Sequence, residues 1–123
     1  MRPDETDAGF LWDMLDAAKT VREFTEKLRY DEYVRDRMRQ LAVERAVEII
    51  GEAARKVSKE FKDAHPEIPW SKIVAQRHIL AHEYGEVRQD RISAVASVHV
   101  PDLIRMLEPL VPRPETDPEA ERG

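Results

Sequence analysis

The sequence predicts an all-α protein, an antiparallel bundle of four to five helices with one long second helix. Charged residues make up 37% of the 123 residues and hydrophobic residues 41%, a balance that suits amphipathic helices. Only four glycines and eight prolines occur, and the prolines fall near the ends and in one loop. Apolar residues recur at intervals of three and four, the period of a helix with one buried face. Helices joined by short connections favour a bundle.

The first predicted helix runs from about Asp7 to Leu28. The stretch "RYDEY" interrupts its pattern, and Asp31 is expected to be the N-cap of the next helix because a short carboxylate can accept the free backbone N–H groups there. Residues that form the apolar face of this first helix are Phe10, Leu11, Met14, Leu15, Ala18, Val21 and Phe24.

The second predicted helix extends from about Glu32 to Asp63, because no proline or turn cluster occurs between them. Its apolar stripe is wide and rich in alanine, which predicts close contact with two neighbouring helices. Gly51 lies in the middle, where glycine costs about 1 kcal/mol relative to alanine. We therefore expect another helix to approach closely at Gly51.

The remaining helices are bounded by proline and glycine. "HPEIPW" predicts a loop, after which a third helix begins at Trp70 or Ser71 and ends near Gly85, a natural C-cap. A fourth helix is expected over about 90–110, with a kink or break near His99 because Pro101 lies inside it. The polar tail beyond is expected to be disordered. The predicted organisation is a helical domain over 1–111 and an acidic tail over 112–123.

Composition excludes several classes of protein. The chain has no cysteine, which excludes disulfides and thiolate metal sites. It has neither the roughly 20 consecutive apolar residues of a membrane span nor the apolar core of a signal peptide at its start, so a soluble cytoplasmic protein is expected. The net charge of −5 argues against constitutive high-affinity binding of nucleic acid. It leaves room for an enzyme that contacts RNA through a local basic cleft.

A polar cluster lies at residues 77–84, "RHILAHEY". Arg77, His78, His82 and Tyr84 stand among apolar neighbours just before the predicted helix end. Histidine transfers protons near neutral pH, and arginine holds phosphate oxygens and the charge that develops on a phosphorane. Such a set is sufficient to cleave RNA without a metal. The alternative is that these residues simply form the solvent-exposed face of a helix, where residues of these types are common.

The spacing within this cluster constrains its geometry. At about 100° per residue, Arg77 and Tyr84 share one face of a helix, whereas His82 lies roughly 140° from Arg77. One straight helix therefore does not bring all three side chains to one point. Either the helix loosens before Gly85, or a second copy of the chain supplies the opposite wall of a composite site in a two-fold dimer.

Two arrangements suggest metal binding instead. His78 and His82, at i and i+4, are suited to hold a divalent ion, although a clear third and fourth ligand is missing. Glu44, Glu48 and Glu52 follow one helix face and suggest a magnesium-dependent nucleotide pyrophosphatase. Their basic neighbours make an ion-paired helix face the simpler interpretation. We therefore predict no metal and no other cofactor.

The cluster and its surroundings resemble a known family. "RHILAHEY" matches the pattern of arginine, four residues, histidine, any residue and tyrosine that marks the HepT-like (formerly DUF86) branch of the HEPN superfamily. "AVERAVEIIGEAARKVSKEF", "HPEIPWSKIVAQRHILAHEYGEV" and "VPDLIRMLEPL" resemble its long second helix, its loop with motif helix and its closing helix, in that order. The resemblance covers about residues 8–111.

This resemblance implies a HEPN-like helical bundle and a function. HepT-like proteins are metal-independent ribonuclease toxins of prokaryotic toxin–antitoxin pairs, here of a type VII-like system, with RNA as substrate. Arg77 and His82 fall on the family's catalytic residues. Tyr84 falls on the tyrosine to which an MntA-type minimal nucleotidyltransferase antitoxin adds AMP. The family forms homodimers whose motifs line the cleft between protomers. Anionic adenylates beside Arg77 would keep an RNA phosphate out.

For several other residues the sequence suggests supporting roles or leaves two roles open. His78 stands where the family commonly has asparagine, so it is either a polar support or a second titrating group, and the general acid is not identified. Glu52 is expected either to orient Arg77 or to be an ordinary surface carboxylate. Trp70 is expected to be a packing anchor. Arg35, Arg37 and Arg39 are the residues that would form a local basic edge for RNA.

Two rival functions stay open alongside the toxin. In the first, the bundle is a non-catalytic interaction module that binds a nucleotidyltransferase partner or a nucleotide. In the second, it is a metal-dependent nucleotide hydrolase that uses the histidines or the helix glutamates. The module predicts complex formation without growth arrest, and the hydrolase predicts activity that a chelator removes.

Overall fold

The computed structural model describes residues 3–76 and 89–111, and its regular structure in these ranges is entirely helical. This confirms the all-α prediction. The elements are α1 (Glu5–Thr25), α2 (Tyr30–Tyr33), α3 (Arg37–Lys56), α4 (Lys59–Ala64), α5 (Trp70–Ala75), α6 (Gln89–Ala94), a π-helical turn (Val95–His99) and α7 (Val100–Leu107).

The core lies around the pairing of the two longest helices, α1 and α3. Helix α7 packs against α1, and α5 and α6 pack against α3. The wide apolar stripe of α3 therefore faces more than one neighbour, as its alanine content predicts. The largest fully buried side chains come from most of the elements and from the loop before α5: Leu11, Met14, Val21, Val43, Phe61, Ile68, Ile92, Val100 and Leu107.

The long helix is shorter at its start than predicted. Asp31 does not cap it but lies inside the short helix α2, and the chain turns at 34–36 before α3 begins. Asp36 is the N-cap, since its carboxylate accepts the backbone N–H of Arg39 at 3.0 Å. The buried Gln40 side chain donates to the Tyr33 carbonyl at 2.9 Å and holds this turn against α3.

The long helix also ends earlier than predicted, after Lys56. Val57 and Ser58 adopt extended backbone conformations, and Ser58 caps α4. Asp7, buried near the start of α1, accepts the Ser58 backbone N–H at 2.8 Å and the Ser58 hydroxyl at 2.6 Å. The break is therefore fixed by a contact with a distant part of the chain, which helix propensity alone does not reveal.

The irregularity predicted near His99 is present as a π-helical turn. The N–H of Val100 donates to the carbonyl of Val95, five residues back, instead of four. Pro101 has no N–H and its ring clashes with the preceding turn of a regular helix. The wider turn accommodates this, and the chain continues into α7 without a break.

Two predicted boundaries lie outside the described residues, the end of the third helix near Gly85 and the tail over 112–123. Within the described ranges, no helix is long and apolar enough to cross a membrane.

Candidate functional site

The predicted site residues Arg77, His78, His82 and Tyr84 lie outside the described residues, so the structure gives their setting only. It describes the two residues between which the motif segment 77–88 runs. Gln76 ends α5 and Gln89 begins α6. Both helices pack on α3, so the described residues on either side of the motif segment belong to helices that contact the same long helix.

A partly buried hydrogen-bond network holds Gln89. The Tyr33 hydroxyl donates to Oε1 of Gln89 at 2.6 Å, and Nε2 of Gln89 donates to Oε2 of Glu44 at 3.1 Å. The same glutamate oxygen lies 3.7 Å from Nη1 of Arg37. Helices α2, α3 and α6 are thus connected through side chains at Gln89, the first described residue after segment 77–88.

Tyr33 is suited to be a permanent donor in this network. Its side chain is buried, and this burial raises its pKa far above the usual value near 10. The negative charge of Glu44, followed by the nearby Tyr30, raises the pKa further. Tyr33 therefore stays protonated at any pH at which a ribonuclease would be assayed.

This network could not be predicted from the sequence. Tyr33 and Gln89 belong to no recognisable motif, and Glu44 was considered only as a possible metal ligand. No local signal could have found the pairs, because Gln89 is 56 residues from Tyr33 and 45 residues from Glu44.

The three glutamates of α3 each have basic partners. Glu44 pairs with Arg37, and Oε1 of Glu48 lies 3.2 Å from Nη1 of Arg45. Oε1 of Glu52 accepts a hydrogen bond from Arg55 at 2.8 Å. These pairs match the ion-paired helix face. Within residues 3–76 and 89–111, no three histidine, aspartate or glutamate side chains are grouped as metal ligands.

Glu52 was expected either to orient Arg77 or to be a surface carboxylate. In the structure its side chain is partly exposed and pairs with Arg55 and with Lys56, whose Nζ lies 3.5 Å away. Its relation to Arg77 falls outside the described residues.

Two of the three arginines predicted to form a basic edge are engaged in contacts within the protein. Arg39 has a structural role, since it donates to the Phe24 carbonyl at 3.2 Å, lies over the Phe24 ring and pairs with Asp36 at 3.0 Å. It ties the start of α3 to the end of α1. Arg37 is paired with Glu44, and Arg35 is exposed.

Trp70 is a packing anchor, as predicted. It is 8% exposed, its indole N–H donates to the His65 carbonyl at 3.0 Å, and its ring meets the Phe61 ring edge to face. These contacts hold the first turn of α5 against the end of α4.

A cavity of about 590 Å³ adjoins Gln76 at the end of α5. Its floor is apolar and comes from α3 and α5, whereas the π-helical turn and α7 form the opposite wall. The residues lining the cavity are Val47, Ile50, Glu67, Pro69, Lys72, Ile73, Gln76, Val95, His99, Val100, Asp102, Leu103, Arg105 and Met106.

An all-α bundle that holds both ends of an arginine–histidine–tyrosine segment is the architecture expected of a HEPN-type protein. The family described as Ribonuclease HepT-like matches residues 14–110, which include helices α3 to α7 and the whole segment 77–88. The chain belongs to this family.

Curated relatives agree with this assignment. A "putative RNase" of Methanocaldococcus jannaschii is 36% identical over 99 residues, covering 80% of this chain and 91% of the relative. A second "putative RNase" of that organism is 30% identical over 109 residues, covering 89% and 90%. A "probable ribonuclease HepT" of Thermococcus cleftensis is 40% identical over 75 residues, covering 61% and 68%. No solved structure matches the chain.

Proposed function

We propose that the protein is a metal-independent endoribonuclease of the HepT kind that acts as a toxin. Membership of the ribonuclease HepT-like family carries this proposal, because the match over 14–110 includes the arginine, histidine and tyrosine of "RHILAHEY". The relatives named as ribonucleases cover most of the chain and support RNA as the substrate.

In the proposed reaction, His82 accepts the proton of a ribose 2′-hydroxyl. The 2′-oxygen then attacks the adjacent phosphorus, the bond to the 5′-oxygen breaks, and a proton reaches that leaving oxygen. Arg77 stabilises the added negative charge of the pentacoordinate phosphate with its planar pair of donors. His78 offers a second titrating group in the same segment. The products are a 2′,3′-cyclic phosphate and a 5′-hydroxyl, and the reaction needs no metal.

The proposed regulation uses Tyr84. An MntA-type nucleotidyltransferase antitoxin would transfer AMP from ATP to its hydroxyl, with loss of the hydroxyl proton and release of pyrophosphate. This places a phosphodiester charge and a bulky nucleoside two residues from His82. The added anion would compete with RNA phosphate for Arg77. This makes the pair a type VII-like toxin–antitoxin system in the cytoplasm.

The proposed active form is a homodimer. Arg77 and His82 are five residues apart and do not share a face of one straight helix, so a composite site between two protomers would bring them to one phosphate. The dimer would then be required for cleavage as well as for stability.

The deciding experiment is RNA cleavage by purified protein in EDTA, with wild type beside His82→Ala and the intact mass of both recorded. We expect wild type to cleave and the variant to lose at least about a thousandfold in rate, as is typical when a nucleophile's general base is removed. Arg77→Ala is a second variant that should lose activity, and Arg22→Ala is its matched control, because Arg22 is an exposed arginine of α1.

The other outcomes separate the rival functions. An inactive wild type with unmodified mass would favour the interaction module, which must then form a complex with the nucleotidyltransferase. An inactive wild type that carries the mass of AMP would be the silenced enzyme, and protein produced without the antitoxin should then cleave. Activity lost in EDTA and restored by a divalent ion would contradict the proposal and favour the hydrolase.

A further inference from the structure

The cavity beside α5 has the shape and chemistry of a small-ligand site. Its volume of about 590 Å³ falls within the range of roughly 300–1,000 Å³ that such sites occupy. Val47 and Ile50 of α3 and Ile73 of α5 give it an apolar floor. A flat, weakly polar group such as a nucleobase has a small desolvation cost when it moves from water onto such an apolar surface.

The rim of the cavity is polar and carries charged groups of both signs. Arg105 is paired with Asp102, and Glu67 is paired with His65. Lys72 is exposed on the rim and has no ion-pair partner among residues 3–76 and 89–111. An ammonium group in this position would attract an anion at the mouth of an otherwise apolar pocket.

Two further rim residues can recognise a base edge. Gln76 presents an amide, which is both donor and acceptor, and His99 presents an imidazole. His99 ends the π-helical turn, and such turns occur frequently at functional sites. The turn that Pro101 requires therefore also places a titratable side chain at the cavity wall.

The cavity reaches the residue that directly precedes the motif segment. Gln76 lines the cavity and is the residue directly before Arg77. Lys72 and Gln76 are four residues apart, so they lie on the same side of the chain, separated by about 6 Å along the axis if the helical rise continues. Because Arg77 follows Gln76 directly in the chain, an RNA strand bound by Arg77 would have a neighbouring nucleotide within reach of this cavity.

We propose that this cavity takes an unstacked nucleobase of single-stranded RNA next to the phosphate that is cut, while Lys72 holds an adjacent phosphate. The inference rests on the proposed ribonuclease function and extends it to substrate selection. Sequence-specific recognition of RNA commonly uses bases splayed out of a single strand and hydrogen-bonded along their edges. Gln76 and His99 would select the base, and cleavage would consequently show a preference at one flanking position.

The test uses two cavity variants and two matched controls. Met106→Trp fills the cavity from its rim, and Val98→Trp adds the same side chain on the π-helical turn, where Val98 is 58% exposed and does not line the cavity. Lys72→Gln removes the rim charge, and Lys27→Gln removes an exposed lysine elsewhere. Circular dichroism and the melting temperature establish that all four variants fold.

Binding is measured in an inactive His82→Ala background, by fluorescence anisotropy of a labelled single-stranded RNA octamer of mixed sequence. We expect Met106→Trp and Lys72→Gln each to weaken binding about tenfold, a difference of about 1.4 kcal/mol, and the two controls to leave it unchanged. A second measurement uses proteins that keep His82 and sequences the products of cleaved random RNA. The wild type should show a base preference next to the cleavage position, and Met106→Trp should reduce that preference.

This design separates failure of the inference from failure of the proposed function. A wild type that does not cleave leaves the binding measurement intact, so binding that depends on Met106 and Lys72 would still support the cavity. Equal binding by cavity variants and controls would overturn the inference even in an active ribonuclease.

Two further outcomes would also overturn it. If AMP or another mononucleotide displaces the RNA at an affinity equal to that of the octamer, the site serves a free nucleotide. If Met106→Trp changes the molecular mass in solution but leaves RNA binding unchanged, the cavity is a contact between copies of the chain.

Discussion

The hydroxyl of Tyr33 lies 2.6 Å from the side-chain oxygen of Gln89, across 56 residues of sequence. Gln89 is the first described residue after the motif segment, and its side-chain amide donates a hydrogen bond to Glu44 of α3. Gln89 is therefore held against α3 by the buried Tyr33 hydroxyl, by its own amide and by the partly buried carboxylate of Glu44. In a ribonuclease of this family, such a tie would set the position of the motif segment relative to the fold.

We expect Tyr33→Phe to lower kcat for RNA cleavage about tenfold with little change in KM. The variant keeps the buried ring but leaves Oε1 of Gln89 without its donor, so the end of the motif segment loses a fixed position. The free energy of unfolding should fall by about 1–2 kcal/mol, as is usual for one buried hydrogen bond. Steady-state kinetics and urea denaturation measure the two effects.

Tyr30→Phe is the matched control for this prediction, because Tyr30 is 49% exposed and should tolerate loss of its hydroxyl. If Tyr33→Phe loses stability and keeps full kcat, the network has a structural role only. Gln89→Glu tests the same tie from the other end, since a second carboxylate beside Glu44 would replace the donated hydrogen bond with repulsion.

The raised pKa of Tyr33 predicts a specific alkaline instability. Its folded pKa lies above the unfolded value near 10, so the unfolded chain releases the proton first as the pH rises. The contribution of Tyr33 to stability is therefore fully present below pH 10 and is lost as the pH climbs toward the folded pKa. The loss should approach about 1.4 kcal/mol per pH unit for this one proton.

Urea denaturation between pH 8 and pH 11.5 measures this dependence. The slope above pH 10 should be less steep in Tyr33→Phe than in wild type, and Tyr30→Phe should keep the wild-type slope. Identical slopes in all three proteins would mean that Tyr33 does not resist ionisation in the folded state.

The all-α class and the core could be predicted from the sequence because they depend on a local period. Apolar residues of α1 such as Leu11, Met14 and Val21 recur with the spacing of a helix, and all three are buried. The irregular turn near His99 was equally predictable, because a proline inside a helix disturbs its own local hydrogen bonds.

The ends of the long helix were not predictable, because they depend on contacts between distant residues. The sequence around Lys56 and Ser58 favours a helix locally, yet Asp7 accepts both polar hydrogens of Ser58 from 51 residues away. The Tyr33–Gln89–Glu44 network was missed for the same reason. The motif residues, in contrast, were found through the spacing of side chains that carry chemistry, and their roles stay a prediction.

Asp7→Asn should destabilise the fold by about 1–3 kcal/mol. Asp7 is 4% exposed and accepts the Ser58 N–H at 2.8 Å and its hydroxyl at 2.6 Å. An amide can accept only through one of its two terminal atoms, so one buried donor is left unsatisfied. Asp13→Asn is the control, because Asp13 is an exposed aspartate of the same helix. Equal melting temperatures for the two variants would contradict the role assigned to Asp7.

An exposed apolar stripe at the start of α3 bears on the proposed homodimer. Met38 and Leu41 are 83% and 50% exposed, and their spacing of three places them on one side of α3. Val34, which is 40% exposed, lies in the turn before α3. Beyond them along α3, Arg45 and Glu48 form an exposed ion pair. An apolar centre with a polar border is typical of the surfaces through which identical chains associate.

We expect Met38→Glu to convert the dimer to a monomer, because two buried carboxylates would face each other across the two-fold axis. Sedimentation equilibrium measures the mass, and Val98→Glu, at a position that is also exposed, should leave it unchanged. If the site is composite, RNA cleavage by Met38→Glu should fall together with the dimer fraction and recover at high protein concentration. A monomeric variant with full activity at every concentration would show that each chain carries a complete site.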